Sequence, residues 1–172
     1  VMPDGGYDSW YFDSKVTPEY QYETFVSKEL VSYVDSHYKT IPRREGRAIS
    51  GLSMGGHGAL FLAIRHQEVY GSAGSMSGGV DFRPFPEKWG IAKRLGTIDE
   101  NPEAWERNTV INMTHLLDRV HIDACLGRAD VHRGAHQIGD RQCFGNTFNQ
   151  CIVPRSKALM HQRGISADEV DA

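Results

Sequence analysis

The chain has 172 residues, of which 40% are hydrophobic and 24% charged, and its formal net charge is −3. That length is enough for one domain with a real core. The balanced charge suggests no polyanionic partner such as nucleic acid, and no apolar run approaches the roughly 18 residues of a membrane span.

In chain order, Val1-Met2-Pro3-Asp4 reads as the tail of a parallel strand, and Gly5-Gly6 as the loop leaving its C-terminal edge. Loops at that edge build the ligand crevice in open α/β sheets. Tyr7, Trp10, Tyr11 and Phe12 follow closely. They form either an aromatic wall for an acyl or phenolic group or ordinary loop packing, and Trp10 and Tyr11 are the candidate substrate contacts. Thr24, Phe25, Leu30, Val31, Val34 and Tyr38 recur near helical spacing and predict a long amphipathic helix. Glu23 and Glu29 read as solvated or first-turn charges. A polar turn from Pro42 to Gly46 precedes a short strand, Arg47 to Ser50.

Next comes Gly51-Leu52-Ser53-Met54-Gly55, a G-x-S-x-G pentapeptide, and then a helix from Gly55 to His66 with Ala59, Leu60, Leu62, Ala63 and Ile64 as its apolar stripe. Between strand and helix this pattern predicts a nucleophile elbow. Ser53 would occupy a sharp, strained turn with its hydroxyl exposed at a helix N-terminus. The Met54 N–H would point where an oxyanion forms. Gly51 and Gly55 are expected to be small because strand and helix pass closely. His57 lies four residues after Ser53, and helix geometry turns it away from the nucleophile.

Val69 to Gly79 holds the next strand, of small residues suited to a course beside the elbow. Ser75 and Ser77 have no elbow frame and read as structural. Phe82 to Pro86 breaks regular structure. Trp89 to Leu95 is a short helix capped by Gly96, and Pro102 to Arg107 is another helical turn. Residues 81–112 form a cap-like excursion. The strand–helix alternation predicts a mainly parallel sheet with helices on both faces.

Val1 to Gly6, Ser9-Trp10-Tyr11, Gly51 to Gly56 and Ser75-Met76-Ser77-Gly78 together resemble the esterase D type of α/β-hydrolase. That group includes S-formylglutathione hydrolases, feruloyl esterases and mycolyltransferases. The resemblance runs from Val1 to about Leu117. It implies a partial α/β-hydrolase fold, a single domain over 1–172 that is incomplete at its start and atypical from 118 to 172. It also implies acyl-enzyme chemistry on Ser53 without metal or cofactor, acting on a small-molecule or carbohydrate-linked ester. The second oxyanion donor would come from a loop before Val1. The compartment, cytoplasmic or secreted, stays open, since any leader would also precede Val1.

Val120 to Cys125 reads as a further strand. The resemblance then places a triad acid in a G-x-x-D setting, which Gly127 to Asp130 matches. His132 to His136 echoes the family's histidine loop and makes His136 the candidate base. The family separates acid from histidine by a helix and a strand, and here both fall close together. Three readings stand: an unusual route for His136, a truncated or frame-shifted chain, or a fold fragment without catalysis. His132 and His136 could share a metal only if helical, and Gly134 argues against that. Cys125, Cys143 and Cys151 are an odd number; Cys143 and Cys151 could pair in an oxidising compartment, and no C-x-x-C supports a zinc ribbon.

Overall fold

The computed structural model describes residues 1–117 and the backbone of the strand His121–Cys125. All belong to one compact unit, Val1–Gly127. Asp130, His136, Cys143 and Cys151 lie outside the described residues.

Three strands form a parallel sheet in chain order: β1 (Ala48–Leu52), β2 (Ser72–Met76) and β3 (His121–Cys125). Ala48 lies opposite Ser72 and Leu52 opposite Met76, and Ser72 in turn opposite His121. Parallel neighbours need crossover connections. α3 (Met54–Arg65) supplies the one between β1 and β2. Residues 77–120, with α4 (Ala92–Leu95), α5 (Pro102–Asn108) and a 3₁₀ turn at Val110–Leu116, separate β2 from β3. β1 runs to Leu52, directly up to Ser53, and so is longer at its C-terminal end than the sequence suggests. Val1–Asp4, expected as a strand tail, pairs with no strand among the described residues.

Before β1, α1 (Tyr22–Thr24) runs through a π-helical turn, Phe25–Glu29, into α2 (Leu30–His37). Of its two readings, Glu23 is the first-turn charge and not the solvated one. It is buried, accepting from Arg65 Nε at 2.8 Å and from His66 Nε2 at 2.9 Å, and so ties α1 to the end of α3. Burial alone would raise its carboxyl, but the hydrogen bonds from His66 and Arg65 outweigh that and hold it below its ordinary value. The Tyr70 hydroxyl adds a bond to the Val26 carbonyl at 3.1 Å.

α3 organises the core. Ala59 to Ile64 are all buried, so this helix is apolar well beyond one stripe. Phe12 and Phe82 from the loops pack on its His57, the 3₁₀ turn carrying Val110 lies against it, and Trp105 backs Phe82, all four side chains fully buried. Each such large side chain contributes about 1.5–3 kcal/mol on removal from water. Phe12, Phe61, Phe82 and Trp105 meet edge to face, with centroids 5.3–6.0 Å apart. On the sheet, Ala73 and Ser75 face inward, while Ala48, Ser50 and Leu52 on the opposite face of β1 are exposed among the described residues.

Candidate active site

The end of β1 turns straight into α3 at Ser53. Its φ of 55° and ψ of −116° lie where a side chain is strained. Holding it there costs about 1–3 kcal/mol, repaid by the surrounding structure. Two main-chain bonds fix the corner: Ser53 N–H donates to the Met76 carbonyl at 2.9 Å, and His57 N–H donates to the Ser53 carbonyl at 3.0 Å. A Cβ on Gly51 would land on the Gly55 carbonyl. Gly51 is therefore obligatory. Gly55 is not crowded in the same way, since a Cβ there meets only Tyr11 Oη at 3.8 Å. Of the helix's glycines, Gly56 is crowded by the sheet, since its Cβ would lie 2.8 Å from the Met76 carbonyl oxygen and 2.9 Å from Ser75 Oγ, and Gly58 is crowded by the Tyr11 ring. The second glycine of the pair thus sets the distance from α3 to β2.

The Ser53 side chain is exposed, and its hydroxyl has no partner among the described residues. Met54 opens α3, so its N–H is one of the helix's unpaired donors. The positive end of the helix lies at the same point. A hydroxyl, an uncommitted N–H and a helix N-terminus therefore meet at one corner of the sheet edge.

The two candidate aromatic contacts separate in the structure. Trp10 is buried, its ring 5.1 Å from His57 and 5.8 Å from Phe82, and its indole N–H donates to the Trp89 carbonyl at 3.2 Å. Tyr11 is half-buried. Its ring lies where a side chain on Gly58 would be, and its hydroxyl would meet a Cβ on Gly5 at 2.5 Å. Burial, then the charge of Asp4 and the neighbouring Tyr22, raises the Tyr11 phenol above its ordinary value, so it stays protonated. Of the pair, Tyr11 lies against the first turns of α3, and Trp10 is part of the core.

His57 has 0% of its surface exposed and is packed among Trp10, Phe12, Phe61 and Phe82. Its Nδ1–H donates to the Gly79 carbonyl at 3.0 Å, which leaves Nε2 buried without a partner among the described residues. Burial drives its pKa down to about 4. The imidazole is neutral and enclosed by rings, away from the exposed hydroxyl of Ser53.

A buried ion pair absent from the sequence reading holds the aromatic loop in place. Arg94 Nε donates to Asp8 Oδ1 at 3.0 Å and its Nη2 also reaches that oxygen, while the guanidinium lies 3.5 Å over the Tyr20 ring. The Ser14 hydroxyl donates to the Arg94 carbonyl at 2.7 Å. Asp8, Trp10 and Tyr11 all have positive φ, and these ties hold that strained run. A lone Asp and a lone Arg 86 positions apart give no local signal.

The pattern of the family described as "Putative esterase" matches residues 1–142. The chain belongs to this esterase family. Among curated relatives, the esterase Rv1288 of Mycobacterium tuberculosis is 40% identical over 86 residues, 48% of this chain and 19% of that one. The diacylglycerol acyltransferase/mycolyltransferase Ag85B of Mycobacterium leprae is 31% identical over 141 residues, 67% of this chain and 42% of that one. This esterase-family chain thus spans less than half the length of those relatives. Among solved structures, an S-formylglutathione hydrolase from Agrobacterium tumefaciens superposes with a TM-score of 0.59 at 23% identity, over 81% of this chain and 50% of that one. Mycobacterium tuberculosis MPT51 gives 0.55 at 25% identity, over 68% and 48%. The likeness places the parallel sheet and its helices as a partial α/β-hydrolase fold. No helix among the described residues is long and apolar enough to cross a membrane.

Proposed function

We propose that the chain carries the nucleophile of a serine carboxylic-ester hydrolase and that Ser53 forms the acyl-enzyme. The observation that carries this is the Ser53 corner: an exposed hydroxyl in strained backbone, between β1 and the N-terminus of α3, with Gly51 pressed on Gly55. Ser53 Oγ attacks the ester carbonyl carbon and passes its proton to a base as the C–O bond forms. The carbonyl oxygen, now negative, takes the Met54 N–H and the helix end as its partners. The alcohol leaves with a proton, and water repeats the attack on the acyl-enzyme. Asp130 and His136 are proposed as the acid and base, in the chain order Ser, Asp, His. Tyr11 is the proposed aromatic contact for the substrate.

A second reading, acyl transfer to a sugar or lipid hydroxyl, has its own support in the mycolyltransferase relatives. The acyl-enzyme is common to both, and only the nucleophile of the second step differs.

Labelling with a fluorophosphonate probe tests the reaction class. Wild type is expected to label at Ser53, and Ser53→Ala to lose both the label and turnover of p-nitrophenyl acetate. A folded wild type that never labels would refute an activated serine. Adding glycerol or trehalose then separates the two readings by whether the product is the free acid or a new ester.

A further inference from the structure

Two strained serines stand side by side at the end of the sheet. Leu52 is opposite Met76, so the next residues on these neighbouring strands are Ser53 and Ser77. Adjacent strands run about 4.8 Å apart. Ser53 has a φ of 55° and Ser77 a φ of 50°. Both are exposed, and neither hydroxyl has a hydrogen-bond partner among the described residues.

Most other left-handed side chains in the structure are held by contacts. Asp8 is gripped by Arg94, the Trp10 indole is buried on the Trp89 carbonyl, and the Tyr11 ring fills the space beside Gly58. Ser77 has no such grip on its side chain. A glycine would take this backbone without strain. Serine occupies it although Gly78 and Gly79 are the very next residues. An uncompensated strained residue beside a reactive one points to a role for its side chain.

The direction of that role follows from the main chain. Ser53 N–H is committed to the Met76 carbonyl on the β2 side, whereas the Met54 N–H is uncommitted on the α3 side. The carbonyl oxygen of a bound ester therefore turns toward α3. The β2 side is left to the other substituents of the carbonyl carbon. One is the acyl carbon chain, and the other is the alkoxy oxygen, which alone can accept a hydrogen bond.

We infer that the Ser77 hydroxyl donates a hydrogen bond to the alkoxy oxygen of the bound ester and so recognises the alcohol part of the substrate. This rests on the reading of Ser53 as the acylated residue. Ser77 forms no covalent bond and keeps its proton. The C–O bond breaks with its electron pair going to the alkoxy oxygen, which is protonated by the conjugate acid of the base. The hydrogen bond strengthens as charge gathers on that oxygen. It matters little for p-nitrophenoxide, which spreads the charge into its ring, and much for an alkoxide.

The test compares kcat/KM of wild type, Ser77→Ala, Ser77→Gly and Ser53→Ala over p-nitrophenyl, phenyl, trifluoroethyl and ethyl acetates. Loss of a hydrogen bond to a charged oxygen corresponds to about 10- to 100-fold on the ethyl ester, and about 3-fold or less is expected on the p-nitrophenyl ester. Ser77→Gly suits the backbone, so it separates loss of the hydroxyl from loss of folding, with Tm at or above that of wild type. A loss equal across the series, or none, with Ser53→Ala inactive, overturns the Ser77 role alone. A wild type without turnover, or an active Ser53→Ala, overturns the acyl-enzyme reading and the Ser77 role with it.

Discussion

Acidification tests the burial of His57 with a calculable outcome. In the unfolded chain this imidazole takes a proton near its ordinary value of 6.5, but in the folded chain only near 4. Between those values the unfolded state binds the additional proton. Folding stability from this group is therefore fully present above pH 6.5 and lost as the pH falls toward 4. At 1.36 kcal/mol per pH unit the whole loss is roughly 3 kcal/mol, of which roughly 2 kcal/mol falls between pH 7 and pH 5. The assay is urea unfolding followed by tryptophan fluorescence at those two pH values, with Trp10 and Trp105 buried as reporters. Carboxylates such as Glu23 also lose stability on acidification, so the quantity to measure is the difference from His57→Asn. Asparagine keeps a donor for the Gly79 carbonyl and cannot titrate. The variant starts less stable because it leaves a gap among Phe12, Phe61 and Phe82, but its stability should fall by roughly 2 kcal/mol less between pH 7 and pH 5. Equal falls in the two proteins would refute the claim that the ring is neutral and enclosed.

Two further predictions concern the corner and the loop beside it. Gly51→Ala should cost about 3 kcal/mol or more, or prevent folding, because its Cβ falls on the Gly55 backbone. Gly55→Ala, with only Tyr11 Oη at 3.8 Å, should gain up to about 1 kcal/mol from helix propensity. Urea titrations of the two variants check the contrast, and equal effects would mean the strand and helix do not approach as described. Arg94→Met leaves the buried Asp8 carboxylate with only the exposed Lys93 ammonium, 3.4 Å from its Oδ2, and should cost about 3 kcal/mol. Thermal melts of this variant and of Asp8→Asn with Arg94→Met should show the double variant recovering part of the loss.

What the chain disclosed before any coordinates was what its neighbours in sequence determine. The corner is written in contiguous residues: an apolar strand end, small residues around Ser53, then an alanine-rich helix, and β1, Ser53 and α3 follow in that order. Gly96 stops α4 with a φ of 79°, as its place after a helical pattern suggests. Trp10 could not be assigned, because one residue type fits a pocket wall and a core equally well; its burial is decided by Phe82 and Trp89, some 70 to 80 positions away. Glu23 is the first-turn charge, one of its two readings, but its burial is set by Arg65 and His66, more than 40 positions away.

The strain at Ser77 was hidden differently. The G-x-S-x-G spacing marks Ser53 because steric exclusion by the following helix forces glycine at Gly51. At Ser77 the next residue, Gly78, must also be small, since its Cβ would lie 2.6 Å from the Gly56 carbonyl carbon, but no motif spacing marks the serine that precedes it. The strain at Ser53 is repaid by two main-chain bonds and the packing of α3. At Ser77 the residue pays about 1 kcal/mol or more relative to glycine, with no bond from its hydroxyl among the described residues to offset it. An energetic deficit placed one strand from Ser53, the proposed nucleophile, fits a substrate-binding hydroxyl, because its compensating hydrogen bond would arrive only with the ester.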